Sequence, residues 1–574
     1  MEGSSSLPAH SQFVHDFVVT TLTADDGSNS GAGDLHQALA EFKELTELTK
    51  ASANGLEMTF SHARPIRRPN SELQMPPLER AARLTRNARA KTLAGTCWVF
   101  EYLLLPCPRF SELLLKVYMD PYSEIDAITI NAVLYSLFMD EARTGNAPEK
   151  DAETEMDSLE AAAICRANLE TALGNLPLFL PATCDTIIAL LFGAYYAIEV
   201  SKPALSWSLI SKACELSLAL GYHRMPAMKG EEPEDLQFKQ LVFWSVYFLD
   251  KSTSLRLGRA SHISDWDISI PLPHDAELKR DASLGYFRSW LRAAKCAGQI
   301  YRMLYSADAE VQPSYVRQDR LDDIVCQLKE IIGESDEPKL RDRWYTKVKH
   351  GGDEKLAEHY CLNDKILRLS LLTLAYRASP SLSSSRTFPS ECIAVAREAM
   401  ELHQRCFSLL MKMNIHNVIC YLHWTILFVP FAPFIVLFCH ILRTGDPDDV
   451  RQLGAFVSTL DAVRDASAAV TQMHRVFSAI YKIASHYVEA RPEGTPAGMA
   501  SLHDIDIFAE GLDVQILEDD GTGLNGTIWN SYDGVSGLLA AQMGNDSVSF
   551  DWYNASQQML EMLSQSNFEV DKSQ

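Results

Sequence analysis

No cysteine occurs before Cys97, and the 12 cysteines from there to Cys439 include no C-x-x-C pair. A structural zinc module needs clustered thiolates, and a disulfide framework needs paired ones in an oxidising compartment, so neither is expected. The region after Met1 lacks the basic start and apolar run of a secretory leader, which places the thiols in a reducing compartment. Positive charge is also scarce. With 52 Lys and Arg against 75 Asp and Glu the net charge is -23, which excludes a generally basic nucleic-acid-binding surface, although not a small basic module on an acidic body. Runs of alternating β-branched residues are missing, as is any strand, Gly-rich loop and helix in succession. No G-x-S-x-G, P-loop, dinucleotide fingerprint or H-E-x-x-H occurs, so the common hydrolase, nucleotide-binding and metalloprotease chemistries have no foothold.

What is present is helical periodicity. Apolar residues recur three and four apart in Ser111–Tyr118, Ile128–Glu141, Leu159–Leu173, Cys184–Val200, Ala204–Leu220 and Leu236–Leu255. The pattern resumes in Glu391–Leu410, Asn417–Phe428, Phe434–Leu442, Val450–Ala469 and Thr471–Val488. The expected fold is all-α: a large multi-helical array of antiparallel packed helices, with a disordered or loosely docked acidic C-terminal tail. Val418–Leu442 carries no formal charge over 25 residues, long enough to cross a bilayer, but Pro430 and Pro433 fall near its centre. Two buried helices around a proline break are expected there, a membrane span being the alternative.

Five regions follow from composition. Residues 1–94 hold one short helix, with Asp34 and Gln37 as a capping box, and a linker whose basic residues are Arg64, Arg67, Arg68, Arg80, Arg83, Arg86, Arg89 and Lys91. These are read as a solvated face, with a phosphate-contacting arm as the alternative. Residues 95–377 form the helical core, 378–390 a Ser-rich loop, and 391–490 the C-terminal helices of the core. Residues 491–574 are an acidic, aromatic-containing tail; Ser501–Gln574 alone has 13 acidic residues and one Lys. Acidic residues that keep Trp529, Trp552 and their neighbours hydrated are the composition of an acidic-hydrophobic activation segment.

The most specific stretch is Trp207 to Pro273. One helix is expected to stop at Gly221 and the next at Gly258, where a residue without Cβ takes the left-handed conformation at low cost. Asp250 and Arg256 fall late in the second helix, where they can pair across a turn or reach the next loop; Asp250 is expected to pair with Arg256 or Arg259. Asp265 and Asp267 form a polar turn before Pro271-Leu272-Pro273 extends the chain.

With Leu220-Gly221-Tyr222-His223-Arg224, then Phe243-Trp244-Ser245 with Tyr247, Leu249 and Asp250, this stretch resembles the fungal-specific transcription factor domain, the middle homology region of zinc-cluster regulators. The likeness continues through Ser254-Leu255-Arg256-Leu257-Gly258-Arg259 to Ile263, Asp265, Asp267, Ile268, Pro271 and Pro273; Ala260 replaces a common proline. It extends over roughly Gly95 to Val488. Regulators of that family bind DNA through six cysteines holding two zinc ions, in the pattern C-x2-C-x6-C, a loop, and C-x2-C-x6-C. Here Cys97 and Cys107 stand as a lone pair, so the module is either encoded upstream of Met1 or lost. The resemblance implies a nuclear regulator of RNA polymerase II transcription of a metabolic or secondary-metabolite pathway. It implies protein partners met through the tail and the core, among them a second copy or an intact zinc-cluster regulator. Sequence-specific DNA binding by this chain alone is not expected.

The competing class is a helical enzyme or small-molecule-binding protein recruited from the same domain in secondary metabolism. Trp98, Tyr195, Tyr196, Trp207, Trp244 and Trp424 are available to line a pocket, although core packing is the plainer role. His416, Cys420 and His423, with Cys439 or His440, have spacing compatible with zinc, yet their apolar flanks read as satisfied core groups. His223, Arg224 and Asp250 read as helix-end networking rather than acid–base catalysis, and Asp265 with Asp267 as a turn rather than a glycosidase pair. No catalytic residue, cofactor or metal is assigned.

Overall fold

The computed structural model describes residues 73–93, 107–144, 158–228, 230–273, 282–336, 354–380, 388–413, 415–428 and 431–489. The capping box at Asp34, the Arg64–Arg68 patch, Trp98, most of the Ser-rich loop and the acidic tail lie outside them.

Among the described residues every regular element is helical. The helices are α1 (Leu78–Leu93), α2 (Cys107–Met119), α3 (Glu124–Thr144), α4 (Ser158–Gly174), α5 (Cys184–Glu199), α6 (Pro203–Ala219), α7 (Pro233–Leu257) and α8 (Ala282–Ile300). They continue with α9 (Ser314–Asp336), α10 (Glu354–Arg377), α11 (Ser390–Leu410), α12 (Ile415–Tyr421), α13 (Ala432–Thr444), α14 (Pro447–Asp461) and α15 (Ala468–Glu489). Neighbours in sequence pack as neighbours in space: α3 on α4, α5 on α6, α6 on α7, α7 on α8, α10 on α11 and α14 on α15. Local signals set the ends. Thr183 caps α5 by accepting the Thr186 N–H at 3.2 Å, and prolines sit in the first turns of α6, α7 and α14.

Helix α5 is apolar on every side and buried from Thr186 to Ile198, as an element at the centre of an array must be. A main core runs from Ala127 to Ala484 and joins residues on both sides of the 378–390 loop. A smaller core gathers Ala81, Leu84, Phe110 and Leu114 against Ile130, Leu134 and Phe138 of α3. The first described residue of the basic run, Arg80, is drawn into this smaller core. Arg80 is 7% exposed and donates to Glu141 at 3.1 Å and Ser158 at 2.6 Å, while Arg83 lies 3.6 Å from the same carboxylate. The solvated face expected from spacing is thus corrected at Arg80, because Glu141 of α3 is buried beneath α1 and requires a cation beside it, while Arg86 is exposed.

Two boundaries differ from the periodicity. The pattern through Val450–Ala469 is broken after Asp461, where a short 3-10 turn at Arg464–Ala466 leads to Ser467, whose hydroxyl accepts the Val470 N–H that starts α15. Asn417–Phe428 begins as α12 and widens into a π-helical turn at Leu422–Ile426. No helix of the described residues is long and apolar enough to cross a membrane. The uncharged stretch is core: Phe434 and Phe438 are fully buried, and Phe431, Phe434 and Phe477 surround Phe456 with ring centroids 5.0–5.2 Å away.

Three histidines are buried in this core, and in each case burial pushes the ring pKa down: His403 to about 3, His359 and His423 to about 4. Bonding explains how they are tolerated. Thr459 directs its hydroxyl to the Phe456 carbonyl, so His403 Nε2–H donates to Thr459 at 2.9 Å and Nδ1 accepts from Tyr421 at 2.8 Å. His423 Nδ1–H donates to the Glu199 carbonyl at 2.6 Å, and Ser467 lies 3.1 Å from Nε2. Cys406 lies 3.5 Å from His359 Nδ1.

Two outcomes are expected. Phe456→Ala opens a cavity within four aromatic neighbours and lowers unfolding free energy by about 3–5 kcal/mol in chemical denaturation. A histidine whose folded pKa is depressed destabilises the fold once pH drops below its unfolded value of about 6.5. Three such rings make the chain about 4 kcal/mol less stable at pH 5.5 than at pH 7.5, as measured by urea midpoints. His403→Gln removes roughly a third of that difference.

Candidate functional site

Helices α6 and α7 and the loop from Gly258 to Pro273 meet in a polar clasp. Helix α7 ends because Gly258 turns left-handed at φ 60°, and Gly258 N–H and Arg259 N–H close back on Leu255 and Ser254. The chain then runs back along α7 and is held along its length by side chains of that helix. Asp250, 0% exposed, accepts the backbone N–H groups of His262 and Ile263 at 3.0 Å each, and His262 Nδ1 lies 3.0 Å from it. Lys251, 3% exposed, does the complementary work: its Nζ donates to the Ile263 carbonyl at 2.6 Å and to Ser261 Oγ at 2.9 Å, and lies 3.0 Å from Asp265. Tyr247 OH donates to Asp265 at 2.9 Å, and Trp244 Nε1–H donates to the Pro271 carbonyl at 3.1 Å.

The other end of the loop is held by the α6–α7 turn. Gly221 has φ 72°, and a Cβ there would stand 2.7 Å from that of Ala227. This turn carries His223, whose carbonyl accepts the Ser269 N–H at 2.9 Å and whose Nε2 lies 3.3 Å from Asp267. Arg224 donates to the same carboxylate. Asp267 is held below the ordinary carboxylate range by the Arg224 bond, with the nearby His223 acting in the same sense. Arg256 is 2% exposed within α7. The Arg259 guanidinium lies 4.5 Å over the Trp207 ring. Pro271 and Pro273 end the loop, half-buried.

The structure therefore brings Gly221, His223, Arg224, Trp244, Asp250, Gly258, Asp265, Asp267 and Pro271 into one assembly. Of the two partners the sequence left open for Asp250, an arginine nearby or the next loop, the loop backbone is the one observed. Two unmet N–H groups of an extended segment are a stronger demand on a buried carboxylate than an arginine with other options. Lys251 was not singled out from sequence. Its signal was a glycine far away, Gly298 of α8, where an added Cβ would lie 2.7 Å from Lys251 Cδ, so the lysine stem crosses α8 at that glycine.

The clasp is poorly suited to catalysis. Cys214, Asp250 and His262 converge closely enough to hold a metal ion, as do His440, Asp446 and Asp449. Cys214, however, is fully buried, and burial together with the Asp250 charge raises its thiol well above the usual range, so no nucleophilic thiolate forms. In the second group the Arg397 guanidinium already bridges Asp446 and Asp449, at 2.7 and 2.6 Å. The His416 side chain lies outside the described residues; of its expected companions, His423 bonds to Glu199 and Ser467. Cys439 is buried in the core. The aromatics offered as pocket lining are packed: Tyr195, Tyr196 and Trp244 are buried, and Tyr195 lies 5.8 Å from Trp424.

Comparison with known proteins places this clasp. A family model described as the fungal specific transcription factor domain matches residues 136–316, which contain the whole assembly. Residues 136–316 are a fungal-specific transcription factor domain. The matched span is shorter than the Gly95–Val488 likeness seen in the sequence. The chain is 25% identical over 281 residues to an uncharacterized transcriptional regulatory protein of Schizosaccharomyces pombe, covering 47% of this chain and 43% of that one. It is 30% identical over 155 residues to an ABC-transporter-regulating transcription factor of Aspergillus fumigatus, 25% of this chain and 17% of that one. The fusaridione A cluster transcription factor of Fusarium heterosporum is 24% identical over 435 residues, 71% of this chain and 78% of that one. These likenesses are to transcription-factor domains and not to catalytic families. The chain spans less than half the length of the first two. No solved structure matches it.

Within the domain, Asp250→Ala leaves two backbone N–H groups without an acceptor. It is expected to cost about 3–5 kcal/mol and to release the loop. Limited trypsin digestion reads the release directly, as new cleavage after Arg259 that the parent chain resists.

Proposed function

We propose that this chain acts in the nucleus as a fungal transcriptional regulator. In this reading the helical body serves as regulatory region and the acidic tail as the segment that meets other proteins. The observation that carries it is that the clasp, whose buried polar groups hold the loop backbone, lies wholly within the stretch matched by the transcription factor domain. The likeness to the Fusarium heterosporum regulator over 71% of the chain supports a secondary-metabolite gene cluster as the target. The five-region division, with the core interrupted at 378–390, and the assignment of Gly221, His223, Arg224, Trp244, Asp250, Arg256, Gly258, Arg259, Asp265, Asp267, Pro271 and Pro273 as structural residues of the domain belong to the same proposal.

These 574 residues contain no six-cysteine module, and two of the arginines in the basic run, Arg80 and Arg83, face Glu141. Sequence reading on DNA is therefore assigned to an intact zinc-cluster regulator or to a second polypeptide segment joined to this one, with the chain acting through a homodimer or heterodimer.

The test is to fuse the whole chain to an unrelated DNA-binding domain in a fungal host carrying a matched reporter. Reporter output above that of the DNA-binding domain alone, lost when residues 491–574 are removed, is expected. Output equal to the control with full-length fusion present in the nucleus would overturn the proposal. On its own, the purified chain is expected to bind duplex DNA without sequence preference and to lose that binding steeply between 50 and 200 mM salt, as counterion release dictates. Electrophoretic shifts with specific and scrambled duplexes check this.

A further inference from the structure

Outside residues 136–316, where α11 begins and α13 ends, the surface opens into a cavity of about 380 Å³. Phe388, Ile393 and Ala394 form its apolar wall, and Ser390, Arg397, His440, Arg443 and Thr444 complete the lining. No Asp or Glu lines it. The volume is at the lower end of the range occupied by sites for small organic ligands. Two of the polar groups are held from behind by a single carboxylate that does not itself reach the cavity. Asp449, 0% exposed, accepts Arg397 Nε–H at 2.6 Å and Nη2–H at 3.0 Å, and lies 2.6 Å from His440 Nδ1. Asp446 adds a bond from Arg397 Nη2 at 2.7 Å.

The consequence is an oriented polar rim. Arg397 is fixed through Nε and Nη2, which leaves Nη1 without a protein partner. His440 is anchored to the same Asp449 carboxylate through Nδ1 and forms one side of the lining. Burial works to raise the Asp449 carboxyl, but the bonds from His440 and Arg397 outweigh it and keep the group ionised, so the rim stays ordered at neutral pH. A guanidinium held by carboxylates through Nε and Nη2 keeps its Nη1 N–H groups as charged donors for an anion. Next to it, Ile393 and Phe388 offer an apolar wall with no polar demand.

We propose that this cavity binds a small organic carboxylate, with the anion at the Arg397 and Arg443 rim and an aromatic or branched apolar body against Phe388, Ile393 and Ala394. The site is separate from the clasp, and the proposal does not rest on the transcriptional reading. It gives a specific location to small-molecule binding, away from the tryptophans and tyrosines of the core.

The experiment titrates the intact chain with 2-naphthoate by isothermal calorimetry, with 2-naphthamide as the uncharged isostere and Ala394→Phe as a variant that fills the cavity from the exposed face of α11. Saturable one-to-one binding of naphthoate with a Kd of about 1 mM or tighter is expected. The amide should bind at least tenfold more weakly, and Ala394→Phe should abolish binding while its circular dichroism and melting temperature match the parent. No saturation by 2-naphthoate up to about 10 mM, several times that Kd, equal affinity for acid and amide, or unchanged affinity in Ala394→Phe would each overturn the proposal. Should Ala394→Phe not fold, Arg443→Gln replaces it, with a tenfold loss for naphthoate and none for naphthamide as the supporting result.

Discussion

Asp250 and Lys251 are adjacent on α7, oppositely charged and both buried, and they face the same returning strand of chain. One takes the N–H groups of His262 and Ile263, and the other gives to the Ile263 carbonyl. A segment with neither helical nor sheet partners is thereby supplied with both kinds of hydrogen bond. Without this pair the loop from Gly258 to Pro273 would have to face water, and the surface of α6, α7 and α8 beneath it would be uncovered. Lys251 also has the Asp265 carboxylate 3.0 Å away and Asp250 has His262 Nδ1 at 3.0 Å, so each buried group is partnered from the loop.

The sequence made the helices legible because amphipathic spacing and helix ends are local. Gly258 and Gly221 were readable as breaks since a left-handed residue without Cβ is a requirement of the chain at that point alone. The Asp250 contacts were not readable in the same way. Their partners are main-chain groups 12 and 13 residues away, and a backbone N–H has no signature in sequence. Lys251 was hidden for a related reason: its neighbour across the interface is a glycine of α8, recognisable only once α7 and α8 are packed. The π turn at Leu422–Ile426 likewise has no periodic signal, yet it carries His423, whose ring bonds to the Glu199 carbonyl.

Several polar groups in the core are matched by partners from other helices. His403 sits among Phe407, Phe431 and Phe456, and its two ring nitrogens are occupied by Tyr421 and Thr459. Arg80 is matched by Glu141 and Ser158, and Asn168 bridges Asn131 to the carbonyl of Gln74. Each network joins segments distant in sequence, so the pattern of polar burial specifies which helices meet as much as the apolar faces do.

Helix α3 contributes Ala127, Ile128 and Ala132 to the main core and Ile130, Leu134 and Phe138 to the smaller one. A helix shared in this way cannot leave one core without exposing the other. The two apolar regions therefore behave as a single cooperative unit: the cluster beneath α1 gains the persistence of a body much larger than itself, although it would be too small to order alone.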